Sequence, residues 1–242
     1  MPADSTSNTR DPRTELPGSG RLRSLWERRW SEKGLDEFGW YLEEPPPELI
    51  RLLEAGGLPK GAAVDLGCGP GVATAYLAQF FRPAIGVDIV LEAVRQATGV
   101  AAKKGVSPSF LVAAAPILPF RAERFALVFD RGCLQHVPKE AWSTYFREVE
   151  RLLVPGGTFE LFCSRPMKNL PPALSVRGAR SRMGWLLGRR RRGSQFLSHA
   201  FLRRLAEPLE TISLDDVLFR PRVGPERAMT HGIFRKPGPV PA

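Results

Sequence analysis

The residues best suited to chemistry lie in one short run, Val64-Asp65-Leu66-Gly67-Cys68-Gly69-Pro70-Gly71. Glycines at alternate positions permit a tight turn and let a ligand approach the backbone. The apolar run Ala62–Leu66 precedes the loop and a helical pattern follows it. That is the context such a loop needs, because the helix N-terminus favours polar or anionic ligand groups. Twenty-one residues after Gly67, Asp88 closes a second apolar run. At the carboxyl edge of a parallel sheet, a carboxylate in that place accepts hydrogen bonds from ribose hydroxyls. A dinucleotide fingerprint would carry its third glycine at position 72, which is Val72. The spacing therefore weighs against a nicotinamide dinucleotide.

A second set of candidates follows the strand pattern Phe125–Phe129: Asp130, Arg131, Cys133 and His136. His136 is the candidate general base, because an unperturbed imidazole titrates near neutrality. The competing reading gives it a structural place before Pro138. His199 and His231 have weaker claims. Asp130 either faces the reacting region or caps the next turn. No His or acid at meaningful spacing activates Cys133, which reads as a packed small residue.

The elements that must hold these residues follow from periodicity. Leu22, Leu25, Trp26 and Trp30 recur at helical spacing, and a second helix starts at Pro45–Pro47 and ends at Gly56 and Gly57. From Ala62 onward, short apolar runs alternate with helices. Strands are expected at Ala62–Leu66, Ala84–Ile89, Phe110–Ala114, Phe125–Phe129 and Thr158–Cys163. Helices are expected at Val72–Phe81, Leu91–Lys104 and Lys139–Val154, the last stopped by Pro155-Gly156-Gly157. Continuous apolar strands separated by helices imply a parallel sheet covered on both faces. Phe201–Ala206 reads as a helix, and Ile212–Phe219 and Met229–Phe234 as a closing antiparallel pair.

The chain has 242 residues, enough for one α/β domain with some decoration. Three well-separated cysteines without a C-x-x-C pair suggest neither a disulfide framework nor a zinc site, so no metal is expected and a reducing cytoplasm is the default setting. No apolar run is long enough for a membrane span. The net charge of +10 is concentrated beyond residue 165 and peaks at Arg189–Arg192. Such a patch attracts nucleic acid or reads as a solvated loop, and it lacks the interleaved aromatics that stack bases.

The D-x-G-x-G-x-G loop followed by Asp88 resembles the first two motifs of class I S-adenosylmethionine-dependent methyltransferases. Ala113-Ala114-Ala115-Pro116-Ile117-Leu118-Pro119-Phe120 looks like the family's third-strand motif, with Ala114 where an Asp often binds the adenine amino group. Phe125–Asp130 is similar to the fourth strand, and Leu152–Gly157 to the turn before the fifth. Asp130-Arg131-Gly132-Cys133, with the tryptophans Trp26, Trp30 and Trp40, resembles the small-molecule group that includes thiopurine, thiol and tellurite methyltransferases.

The resemblance implies a Rossmann-like, doubly wound α/β fold: a mostly parallel seven-stranded sheet, an antiparallel closing strand and an N-terminal helical cap. The expected division is a disordered tail at 1–20, the cap at 21–59 and a methyltransferase domain at 60–242, with a variable insertion or lid at 165–198. S-adenosyl-L-methionine is the implied cofactor. Asp65, Gly67, Cys68, Gly69, Gly71, Asp88, Ile89, Ala114, Ala115 and Asp130 are the residues expected to hold it. Asp130 and His136 are the catalytic candidates, and Trp40, Tyr41 and Arg131 the substrate-facing ones. The expected partner is a small-molecule acceptor, with a sulfur or other soft nucleophile among the candidates. Two alternatives stay open: an RNA methyltransferase using Arg189–Arg192, and a cofactor-binding protein without catalysis, for which Ala114 is the support. Neither the acceptor atom nor the oligomeric state can be read from these motifs.

Overall fold

A computed structural model describes residues 19–164 and 198–238. Five strands run parallel: β1 (Ala62–Leu66), β2 (Ala84–Asp88), β3 (Ser109–Val112), β4 (Phe125–Arg131) and β5 (Leu153–Ser164). β7 (Arg227–Arg235) pairs antiparallel with β5, and β6 (Glu210–Phe219) pairs antiparallel with β7. The order across the sheet is β3-β2-β1-β4-β5-β7-β6. The expected seven-stranded sheet and its closing pair are therefore present. Strand order reverses between β1 and β4, and in open α/β sheets ligands bind in the crevice at the carboxyl ends beside such a point.

Both faces of the sheet are covered, which is why β1 and most of β4 are buried without alternation. One face carries Val64, Leu66, Val128, Phe159, Leu161 and Phe234, packed under α5 (Trp142–Leu152) and α6 (His199–Ala206). α5 buries Trp142, Tyr145, Phe146, Val149 and Leu152, one apolar stripe at helical spacing. The other face packs Ala63, Leu127 and Phe129 against Leu49 of α2 (Pro47–Ala55) and Leu77 of α3 (Val72–Leu77). α4 (Leu91–Lys103) lies beside α3.

Local boundaries differ from the periodicity for physical reasons. β3 stops at Val112 because its partner β2 stops at Asp88, although Ala113 still donates its N–H to the Asp88 carbonyl. β5 begins directly after α5, so Pro155-Gly156-Gly157 lies within it: Leu153 already pairs with Phe125, and Gly156 donates to the Lys236 carbonyl. α5 is preceded by a separate short turn at Lys139–Ala141.

The cap begins with α1 at Ser19–Glu32, continues through a short turn at Leu35–Glu37 and ends with α2. Trp26, Trp30, Leu35 and Trp40 cluster with Ile89, Val90 and Ala93 at the start of α4. The cap therefore sits over the carboxyl ends of β1 and β2. No described helix is long and apolar enough to cross a membrane. Most of the expected tail, most of the 165–198 insertion and the whole of Arg189–Arg192 lie outside the described residues.

Candidate active site

The glycine loop is built from below by Asp65. Its side chain is 3% exposed and accepts a 2.6 Å hydrogen bond from the Thr74 hydroxyl on α3. Burial pushes its carboxyl up to about 7, with the Thr74 bond opposing and the neighbouring Asp130 and Asp88 adding to the rise. The loop then hangs from β2, as Gly67 and Cys68 both donate their N–H groups to the Val87 carbonyl at 2.7 and 2.9 Å. Gly67 has φ +69°, and a Cβ there would stand 2.7 Å from Cβ of Cys133.

Asp88 ties the same loop from its other side. One carboxylate oxygen accepts from Gly69 N–H at 3.0 Å and the other from Val90 N–H at 2.9 Å. A carboxylate offers about four lone-pair sites, so two backbone bonds leave capacity for ligand hydroxyls. Burial raises the Asp88 carboxyl, opposed by these N–H groups.

Asp130, at the end of β4, is fully buried. It accepts from Cys133 N–H at 2.7 Å, Leu134 N–H at 2.9 Å and the Tyr145 hydroxyl at 2.5 Å. Its carboxyl rises to about 6 through burial, with those three donors opposing. The expectation that Asp130 faces a cofactor or the reacting atoms is not met in this geometry. Its oxygens cap the turn over Leu134–His136 and anchor α5, and they do not reach the cavity.

Arg131, the next residue, points to the other face of the sheet. It donates to Glu48 of α2 at 2.7 Å and to the Trp40 carbonyl at 3.2 Å. Its guanidinium lies 5.0 Å from the ring centre of Phe162 and 4.9 Å from that of Phe219. A cation at this range from two aromatic rings is attracted by their π faces.

These pieces surround one cavity of about 570 Å³. Of the residues singled out from sequence, Gly67, Gly69, Asp88, Ile89, Ala114, Ala115, Trp40, Arg131 and His136 line it. Asp65, Cys68, Gly71, Asp130 and Tyr41 do not. Asp65 and Cys68 are buried beneath the loop, and Gly71 faces Ala97 of α4. Tyr41 stands by Glu43 and Arg222; burial and Glu43 raise its phenol, and Arg222 opposes them. Burial likewise pushes the Cys133 thiol up, consistent with a packed residue and not a nucleophile. His199 pairs with Asp216 and His231 with Glu160, each at 2.8 Å and neither on the cavity wall.

Sequence reasoning missed much of the far wall: Gln135, Phe162, Ser164, Phe219, Arg227 and Met229. Phe162 and Ser164 stand at the end of β5 and Met229 opposite Ser164 on β7. β5 is buried almost throughout its second half, so no alternation marks these residues, and its partner strand lies more than sixty residues away.

The sheet order, the glycine loop after β1 and the acid closing β2 are the arrangement that the resemblance to class I S-adenosylmethionine-dependent methyltransferases implies. Comparison with known proteins agrees. Residues 63–157 match a family described as a methyltransferase domain. A 2-heptyl-1-hydroxyquinolin-4(1H)-one methyltransferase of Mycobacteroides abscessus is 30% identical over 121 residues, which are 50% of this chain and 53% of that protein. An Arabidopsis thaliana protein named "Probable thiol methyltransferase 2" is 31% identical over 133 residues, 54% of this chain and 58% of that one. The chain thus spans about half the length of the curated relatives it matches. Among solved structures, 1,6-didemethyltoxoflavin-N1-methyltransferase of Burkholderia thailandensis, with 1,6-didemethyltoxoflavin and S-adenosylhomocysteine bound, shares the fold with TM-score 0.62 and 18% identity, covering 97% of this chain and 94% of that one.

Proposed function

We propose that this chain transfers the methyl group of S-adenosylmethionine to a heteroatom of a small aromatic acceptor. The observation that carries the reading is the continuity of the cavity. One end is the glycine loop with Asp88 and Ala113–Ala115, where the Trp40 ring stands against Gly69; the other is walled by Phe162 and Phe219 around Arg131. The first end suits a nucleoside, with the Asp88 lone pairs toward the ribose and the Gly67 and Gly69 backbone toward the amino-acid part. The second suits a flat, electron-rich ring whose oxygen, nitrogen or sulfur is drawn toward a cation.

The bound cofactor supplies an electrophilic methyl on a good leaving group. The protein's own contribution is to position the acceptor and exclude water. His136 lines the same cavity and accepts a proton from acceptors that arrive protonated. The names of the two curated relatives, a hydroxyquinolone and a thiol methyltransferase, support an acceptor of this class.

Calorimetry tests the cofactor assignment. S-adenosylmethionine and S-adenosylhomocysteine should bind, and NAD should not; silence with both methyl cofactors would sink the reading. Asp88→Ala should weaken binding about tenfold or more, since hydrogen bonds to a charged group are worth roughly 1.5–3 kcal/mol. The acceptor class is tested by methyl transfer to hydroxyquinolones, phenols, thiols, amines and bulk RNA. Methylation confined to RNA would overturn the small-molecule assignment.

A further inference from the structure

Gln135 and His136 are neighbours in the turn after β4 and both line the cavity. Gln135 also reaches across to the end of β5, where its side-chain oxygen accepts the Ser164 N–H at 2.5 Å. That bond fixes which way the amide points. The oxygen is committed to a backbone donor, so the NH2 group faces the other way. There it meets Nε2 of His136 at 3.5 Å. An amide nitrogen donates and has no lone pair with which to accept. As a hydrogen bond, the contact requires an Nε2 that carries no proton.

Two further features hold this arrangement. Gly132 has φ +95°, a turn conformation that favours glycine, and a Cβ there would stand in ordinary contact with Nε2 of Gln135 at 3.5 Å. His136 donates its backbone N–H to the Cys133 carbonyl at 2.9 Å, and its ring meets Trp26 edge to face at 4.9 Å.

We propose that Gln135 is a positioning residue that keeps His136 in its neutral, Nδ1-protonated tautomer, with the Nε2 lone pair presented at the wall of the acceptor chamber. The role rests on the methyltransferase reading above and extends it to a residue that touches the base and not the reacting atoms. When an acceptor binds, its hydroxyl, thiol or amine proton replaces the long amide contact at Nε2. One proton moves from the acceptor heteroatom to Nε2. The electron pair of that heteroatom forms the bond to the methyl carbon, and the carbon–sulfur bond breaks with its electrons left on sulfur. The imidazolium then faces the amide NH2, an unfavourable pairing of two donors, and releases its proton to water. The charged side chains around the cavity are Arg29 and Lys33 from α1, Glu37 from the cap turn, Asp88, Arg131 and Arg227. Four of the six are cations, which also favour a neutral ring.

The test reads the ring itself. The chain has three histidines, so nitrogen NMR with His136→Asn as the assignment control isolates one ring. In the unsubstituted protein without cofactor or acceptor, His136 should be neutral and Nδ1-protonated at pH 7. An Nε2-protonated or doubly protonated ring would overturn the proposal. Gln135→Glu keeps an acceptor for Ser164 but sets a carboxylate against Nε2. An opposite charge at that range favours the imidazolium, so its pKa should rise by about one unit or more, a tenfold gain in proton affinity. The acid limb of the kcat profile should move with it. An unshifted ring in a Gln135→Glu protein that still unfolds cooperatively would equally overturn the role. Because the ring is read without turnover, failure of methyl transfer leaves this result intact and is recognised separately.

Discussion

Three carboxyl groups, Asp65, Asp88 and Asp130, stand within one loop's reach and burial raises each of them. For Asp65 the rise is from 3.8 to about 7, and for Asp130 from 3.8 to about 6. A carboxyl with a raised native pKa binds protons more tightly folded than unfolded, so its contribution to stability is full below about pH 4 and is lost as pH climbs through the native value. A cation lodged beside the three would favour their ionised forms and offset part of that loss. Stability of the ligand-free protein should therefore fall between about pH 4 and pH 7. Asp65→Asn keeps an acceptor for Thr74 and removes the titration. Urea unfolding should show the variant gaining on the parent as pH rises, by a few kcal/mol at most at pH 8. Parallel curves for the two proteins across that range would show that Asp65 does not titrate this way.

At the scale of elements, the loop between β1 and α3 depends on conformations that only glycine accepts readily. Gly67→Ala forces a side chain into φ +69° and against Cys133. It should lower the melting temperature by several degrees and weaken S-adenosylhomocysteine binding at least tenfold, since local backbone strain costs of order 1–3 kcal/mol. Gly99 is the contrast. It lies inside α4, and a Cβ there meets nothing within 4 Å, so Gly99→Ala should raise stability by about 0.5–1 kcal/mol without touching the site. Thermal unfolding with a cofactor titration separates the two. The same contrast explains what was legible in sequence. Gly67, Gly69 and Asp88 announce themselves because loop, strand end and helix start are contiguous in the chain. The choice between the two readings of Asp130 was not legible because Tyr145, fifteen residues later in the first turn of α5, claims its carboxylate. Gln135 was unreadable because its meaning depends on Ser164, on another strand. The strands themselves were read nearly to the residue wherever both faces are buried; their ends shifted where a neighbour's length decides, as β2 decides for β3.

At the scale of the whole molecule, Arg131 joins parts that sequence keeps far apart. It leaves β4, pairs with Glu48 on α2, bonds the Trp40 carbonyl of the cap, and lies near Phe162 of β5 and Phe219 of β6. The cap meets the β6–β7 turn again nearby, through Glu43 with Arg222 and through Gly39, where any side chain would run into the Val223 carbonyl. The cavity is thus closed by cap, sheet and hairpin together, and its shape depends on their docking more than on any one element. Glu48 and Arg131 side chains are 9% and 13% exposed, so the pair is nearly dry. Breaking a buried pair by removing one partner costs about 3–5 kcal/mol, whereas replacing both by apolar groups is often neutral. Arg131→Met should therefore destabilise the protein by roughly that amount and loosen the cap. Glu48→Leu combined with Arg131→Met should recover most of the loss in urea unfolding, yet leave acceptor affinity poor because the cation is gone. If the double variant is as unstable as Arg131→Met alone, the contact of the guanidinium with the two phenylalanines, and not the ion pair, is what fastens the cap to the sheet.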